Sequence, residues 1–271
     1  MSGVPDGRGV LRIEDRERIR LLTLDRPKAL NAFDDDLYDA VRDALQDAAA
    51  RDDLAVAVIT GAGRAFSAGQ DLGELAHPRR HTDDARHGFV PFIETVEAFP
   101  KPLIAAVNGI GVGIGLTLLP HCDLVFMAEG ARVRAPFVSL GVTTEAGSSA
   151  LLPARVGWQT AAHLLYTASW LEASDAVACG LAFRACPSES LLSEVLAVAG
   201  EISLMPVESL VATKRLLLDA RLDAVRAARA RETLRFGALV GGPANREALA
   251  AFRERRDPDF KGLGPPGRNP R

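Results

Sequence analysis

The chain is short of the features that would place it in several large classes. Its 271 residues include three cysteines, Cys122, Cys179 and Cys186, and no CxxC pair. An odd count without that spacing reads as reduced, intracellular thiols and argues against a structural zinc site. No apolar run reaches the ~18 residues of a membrane-spanning helix. The opening MSGVPDGRGV lacks the apolar core of a signal peptide, and the closing GRNPR is not a peroxisomal address. A net charge of -3 offers no field to gather nucleic acid or an anionic membrane. The expected location is therefore the cytoplasm, with neither of those partners. There is no repeat of solenoid length and no GxxxxGK[ST] phosphate loop.

What is present is the balance of a globular protein, 48% hydrophobic and 25% charged. Val10 to Leu24 alternates charge with Val, Ile and Leu, which predicts two antiparallel strands. Asp34 stands as an N-cap before Leu37, Val41, Leu45 and Ala48 at helical spacing. LAVAVIT (54–60), LIAAV (103–107) and DLVFMA (123–128) read as buried strands. Residues 75–86 are polar, and Phe89 to Phe99 reads as a helix. From Thr160 the pattern is helical, with helices expected at 160–167, 174–179, 190–202, 207–219, 222–239 and 243–255. The division expected is a mixed core over 1–200, a helical region over 201–261 and a disordered tail over 262–271.

Glycines cluster in GRAFSAGQDL (63–72) and NGIGVGIGLTLL (108–119). Glycine after a strand lets backbone approach a ligand, and a helix start offers free N–H groups. GIGVGIG is only loosely like a dinucleotide fingerprint, and the acidic residue that should follow falls in the wrong place. A third stretch, LGVTTEAGSS (140–149), carries Glu145 where few other acidic residues occur. By itself Glu145 reads as a charge complementing the dipole of the helix AGSSALLPARV. His77, His81 and His87 read as exposed histidines of a polar loop, so no metal site is expected. His121 reads as structural.

Taken in order, RPKALNAF, TGAGRAFSAGQDL, PLIAAVNGIGVGIGLTLLPHCDLVFMAEGARVRAPFVSLGVTTEAG, TASWLEASDAVACGLAFRACP and ATKRLL resemble the enoyl-CoA hydratase/isomerase (crotonase) superfamily from about Val10 to Phe260. The resemblance implies an α/β fold, a spiral of β-β-α turns with a C-terminal helical trimerisation region, assembled as a homotrimer or hexamer. It also implies an acyl-CoA thioester as partner, with coenzyme A entering as part of the substrate and no further cofactor. Two backbone amides, those of Gln70 and Ile114, align with the family's oxyanion hole. Lys28, Ala29 and Leu30 align with its contact to CoA, as do Ala65, Ser67, Ala68, Asp71 and Gly113 around the oxyanion loops. Either Arg26 or Lys28 could meet a phosphate. Leu72, Leu75 and the helix at 89–99 would border the acyl chain. Phe252 and Arg255 align with residues that reach CoA from a neighbouring subunit.

Hydratases of this family carry two glutamates that manage a water. Those places here hold Thr117 and Phe137, which cannot supply the acid–base pair. LGVTTEAGSS instead resembles the 3-enoyl-CoA to 2-enoyl-CoA isomerase subgroup, with Glu145 in the base position. Phe137, Leu140, Val112, Ile114 and Val142 could give that carboxylate an apolar pocket, and desolvation there would raise its pKa. The expected reaction is a single-base double-bond shift. The alternatives are a hydratase in which Asp71 or Glu74 supplies the acid, and a non-catalytic acyl-CoA-binding member.

Overall fold

A computed structural model describes residues 4–5, 8–71, 73 and 86–263. The strands that are apolar throughout sit side by side in one sheet. Its order is β1 (Val4–Pro5), β2 (Leu11–Arg16), β3 (Ile19–Leu24), β4 (Val56–Gly61), β6 (Leu103–Val107), β8 (Leu124–Ala128) and β11 (Arg184–Cys186). From β3 to β11 the pairing is parallel, with both faces of β4, β6 and β8 covered. That burial is why these strands read as continuous apolar runs and not as alternating ones.

A second, smaller sheet runs β10 (Leu171–Glu172), β9 (Arg132–Arg134), β7 (Ile110–Val112) and β5 (Ala65–Ser67). Each turn of chain lays one strand in the large sheet and the next in the small one: β4 then β5, β6 then β7, β8 then β9. This is the spiral that the resemblance implies. None of the small-sheet strands was legible from pattern, because two or three residues are too few to show a period. The glycines of 109–115 serve this layer. A Cβ at Gly109 would lie 2.2 Å from the Arg64 carbonyl oxygen, and one at Gly115 would lie 2.8 Å from that of Ser67.

Helix α1 (Asp35–Ala50) begins as the sequence predicts, with the Asp34 carboxylate accepting from Leu37 N at 2.9 Å. It buries Leu37, Val41, Leu45 and Ala48 and packs on α2 (Phe89–Ala98). Phe33, Tyr38, Phe89 and Phe92 form an aromatic cluster at that contact, with centroids 4.8 to 5.8 Å apart. The short helix α3 (Ile114–Thr117) continues into a tight turn at Leu119–His121. Then follow α4 (Ser148–Val156), α5 (Trp158–Thr167) and α6 (Ala173–Ala178), and after β11 only helices: α7 (Leu191–Ser203), α8 (Val207–Asp219), α9 (Leu222–Leu239) and α10 (Pro243–Glu254). The bounds of α8 and α9 are those expected, and the other late helices differ by one or two residues. Among the described residues no single helix is long and apolar enough to cross a membrane.

Candidate active site

The first half of the site is backbone. Ser67 of β5 pairs with Gly111 of β7, so the segments that follow, 68–70 and 112–114, run alongside one another. They touch: a Cβ on Gly69 would lie 2.9 Å from the Val112 carbonyl oxygen, and one on Gly113 would lie 3.8 Å from Gly69 Cα. Both glycines have positive φ, +96° and +57°, which side chains disfavour. The next amides in line belong to Gln70 and Ile114. Among the described residues neither meets a hydrogen-bond acceptor. Two unengaged N–H groups on neighbouring rigid segments can receive a developing negative charge. Helix α3 is only four residues long before the turn, so the aimed amide, more than a long dipole, is what Ile114 offers. The side chain of Gln70 faces elsewhere, accepting from the Tyr38 hydroxyl at 2.8 Å.

The turn expected to contact CoA is stitched to this half. Lys28 and Ala29 lie in the tight turn Pro27–Ala29, and Leu30 and Asn31 follow at φ of 52° and 56°. Ala68 N donates to the Leu30 carbonyl, Ser67 Oγ donates to that of Asn31, and the Asn31 amide donates to the carbonyls of Ala62 and Ala65, all within 2.8 to 2.9 Å. Leu30 and Asn31 are thus tied to Ala62, Ala65, Ser67 and Ala68, with Lys28 and Ala29 just before them in the chain. Arg26 binds Asp34 at 2.8 Å and Asp71 at 3.1 Å. Asp71 therefore braces the loop, and of the two candidate phosphate cations, exposed Lys28 forms no such pair among the described residues.

The second half is the turn bearing Glu145. Ala146 and Gly147 are both left-handed, at φ of 60° and 69°. Such a conformation persists only where its surroundings fix it. Here Ser148 N and Ser148 Oγ both donate to the Glu145 carbonyl, and Thr144 and Ser148 share a hydroxyl contact of 2.5 Å. His121, buried after α3, has Nε2 2.8 Å from the Ala146 carbonyl oxygen. Burial lowers the pKa of His121 to about 4, so its neutral form donates that bond. Glu145 keeps some accessible surface, yet its carboxyl is sunk deeply enough that desolvation, and then the charge of Glu232, raise its pKa to about 8.

Glu232 was not expected. It lies on the buried face of α9 with Val225 and Ala228 and accepts from Gly147 N at 2.6 Å and Ser149 N at 2.7 Å. The carboxylate that complements the start of α4 is therefore Glu232, and not Glu145. The only signal in the sequence is an acidic residue on the helix face that carries Val225 and Ala228, with its partners 85 and 83 residues away.

Phe137 is buried and Leu140 half-buried; Phe137 precedes and Leu140 ends the tight turn Val138–Leu140, which comes before Glu145 in the chain. Phe137 also lines a cavity of about 230 Å³ with Val138, Thr144, Trp158 and Tyr166. Thr117 is fully buried, and its hydroxyl meets no partner among the described residues. Phe252 and Arg255 lie exposed near the end of α10. Leu72, Glu74, Leu75, His77, His81 and the tail from 264 lie outside the described residues. His87 is held by Asp39, 2.6 Å from its Nδ1.

The two-sheet spiral, with its strands laid alternately in a large and a small sheet, is the fold of the crotonase superfamily. The sequence profile of the enoyl-CoA hydratase/isomerase family matches residues 14–263, and the chain belongs to that family. It is 34% identical over 252 residues to a 2,3-dehydroadipyl-CoA hydratase of Escherichia coli K12, covering 92% of this chain and 98% of that one. A 1,2-epoxyphenylacetyl-CoA isomerase of the same organism is 30% identical over 257 residues, covering 90% and 95%. The crystal structure of an enoyl-CoA hydratase/isomerase from Pseudoalteromonas atlantica superposes with a TM-score of 0.88 at 33% identity, covering 93% and 99%.

Proposed function

We propose that the protein is an enoyl-CoA isomerase that moves a double bond from C3 to C2 of an acyl-CoA thioester. The observation that carries this reading is Glu145: a carboxylate of raised pKa on a fixed turn, while Thr117 and Phe137 occupy the places of the hydratase pair. In the scheme the Glu145 carboxylate takes a proton from C2. The electrons of that C–H bond pass toward the thioester carbonyl and give a dienolate, whose oxygen meets the amides of Gln70 and Ile114. Protonated Glu145 then returns the proton at C4, and the double bond lies between C2 and C3. One group serves as base and then as acid, so no water and no redox partner enter. A base with a pKa near the working pH suits both steps.

A hydratase reading has support of its own. A relative named as a hydratase is 34% identical, and the unpartnered Thr117 hydroxyl could hold a water. Of the acids that reading needs, Asp71 is tied to Arg26. The purified protein should be offered a 3-enoyl-CoA and a 2-enoyl-CoA, each also with Glu145→Gln. Conversion of the first alone, abolished by the substitution, supports the isomerase. Hydration of the second would replace it.

The proposal extends to assembly. Leu204, Leu216, Leu217 and Leu234 of the helical region are 63 to 77% exposed, and apolar surface in such quantity marks a contact with further copies. A trimer or hexamer in the cytoplasm is the expected state, and sedimentation would measure its mass.

A further inference from the structure

We propose that Glu232 is a positioning residue for Glu145: its carboxylate clamps the amides of Gly147 and Ser149, fixing the turn and occupying the helix start that would otherwise stabilise charge on Glu145. This rests on the reading of Glu145 as the base. The geometry is a fork, with one oxygen on Gly147 N at 2.6 Å and the other on Ser149 N at 2.7 Å. Those N–H groups open helix α4, where a free anion gains from the dipole. With Glu232 seated on them, that favourable position is taken, and Glu145 stands beside a second negative charge. Helix α9 is packed hard against the turn, since a Cβ on Gly147 would lie 2.7 Å from Val225 Cγ1.

Other charges near the turn are committed elsewhere. Arg229, one turn before Glu232 on α9, binds Glu97 at 2.9 Å and Glu94 at 3.1 Å. Arg221 donates to the Pro120 carbonyl, and Arg155 of α4 donates to that of Cys122. His121, whose Nε2 lies against the Ala146 carbonyl oxygen, is neutral. Among the described residues no cation forms an ion pair with Glu145 or Glu232. A buried carboxylate with two amide partners and no cation is costly to keep for packing alone, and its neighbour is the base.

The consequence is that Glu232 has two separable effects, through charge and through shape. Glu232→Gln keeps the volume and one acceptor but removes the charge, so Glu145 should hold its proton less tightly. Glu232→Asp keeps the charge and shortens the reach, so it should loosen the turn while leaving the proton affinity raised. The titration of Glu145 is to be followed by carboxyl carbon NMR, its signal assigned by its loss in Glu145→Gln, together with the pH profile of turnover on a 3-enoyl-CoA. Glu232→Gln should lower the midpoint by about one pH unit, the scale of a nearby like charge, and shift the acid limb of turnover equally. Glu232→Asp should lower kcat more than it raises KM, with the midpoint in place. A midpoint unmoved in folded Glu232→Gln overturns the proposal, whatever happens to Tm. If Glu232→Gln does not fold, a midpoint in Glu232→Asp that falls toward the ordinary carboxylate range overturns it. The NMR readout needs no turnover, so a failure of the isomerase reading would show separately, as wild-type protein that titrates but leaves the 3-enoyl-CoA untouched.

Discussion

The imidazole of His121 reaches to 2.8 Å from the carbonyl oxygen of Ala146, joining the segment that begins at Ile114 to the turn that carries Glu145. One end of that segment carries the amide proposed for the oxyanion, and the other holds the turn of the proposed base. The two halves of the site are therefore coupled through about two turns of helix.

That bond has a measurable worth. Replacing His121 by Leu leaves a buried carbonyl unpaired, which costs about 1–3 kcal/mol, and should free the left-handed backbone at Ala146. His121→Gln can still donate an N–H. The expected order of kcat is wild type, then Gln, then Leu. A Leu variant as active as wild type would remove His121 from the account.

His121 also sets an acid limit on stability. Its pKa in the fold, about 4, lies below the 6.5 of the free side chain, with burial as the main cause. The unfolded chain binds the proton first, so this contribution is complete above pH 6.5 and is lost as pH falls toward 4. Urea titrations of wild type and His121→Gln across that window should show the wild type losing stability more steeply. Parallel curves would mean that His121 does not titrate as stated.

The proposed role of the Gln70 amide is tested by removing the hydrogen-bond donor, not the side chain. Gln70→Ala keeps the N–H and loses only the contact with Tyr38, whereas Gln70→Pro deletes the donor. The Pro variant should lose about 100- to 1,000-fold in kcat, and the Ala variant far less. Circular dichroism must show the Pro variant folded. Equal losses in the two would assign the effect to the Gln70 side chain.

What the sequence revealed of this site depended on the kind of interaction. Asp34 announced itself because capping is local: the acceptor and the amide of Leu37 are three residues apart. The strand at 103–107 announced itself because burial on both faces leaves an unbroken apolar run. The small sheet did not, since Gly111 and Ser67 pair through backbone and through the absence of side chains, which no hydrophobic pattern records. The place of Glu145 was readable only through likeness to relatives; its desolvation was expected from the apolar residues near it in sequence, but the charge of Glu232 was not. Glu232 lies 87 positions further on a helix whose surface is mostly exposed, and only the packing of α9 on the turn brings the two together.

Glu145 carries the clearest pH signature. Its pKa of about 8 in the fold exceeds the 4.5 of the free group, with desolvation the larger cause and Glu232 the smaller. As a base it works when ionised, so kcat/KM for a 3-enoyl-CoA should climb through pH 8 and level off above it. Stability should move the opposite way. Between pH 4.5 and 8 the folded chain binds the proton and the unfolded chain does not, so ionisation of Glu145 lowers stability as pH rises through that window. Glu145→Gln removes both effects. Turnover should fall by at least ~100-fold. Its melting temperature should match wild type below pH 4.5 and exceed it at pH 9, by roughly 3 °C for each kcal/mol relieved. Calorimetry of the two proteins at both pH values decides the matter: a Gln variant less stable than wild type at pH 9 would show that the carboxylate is compensated in the fold, and would remove the strain on which its strength as a base depends.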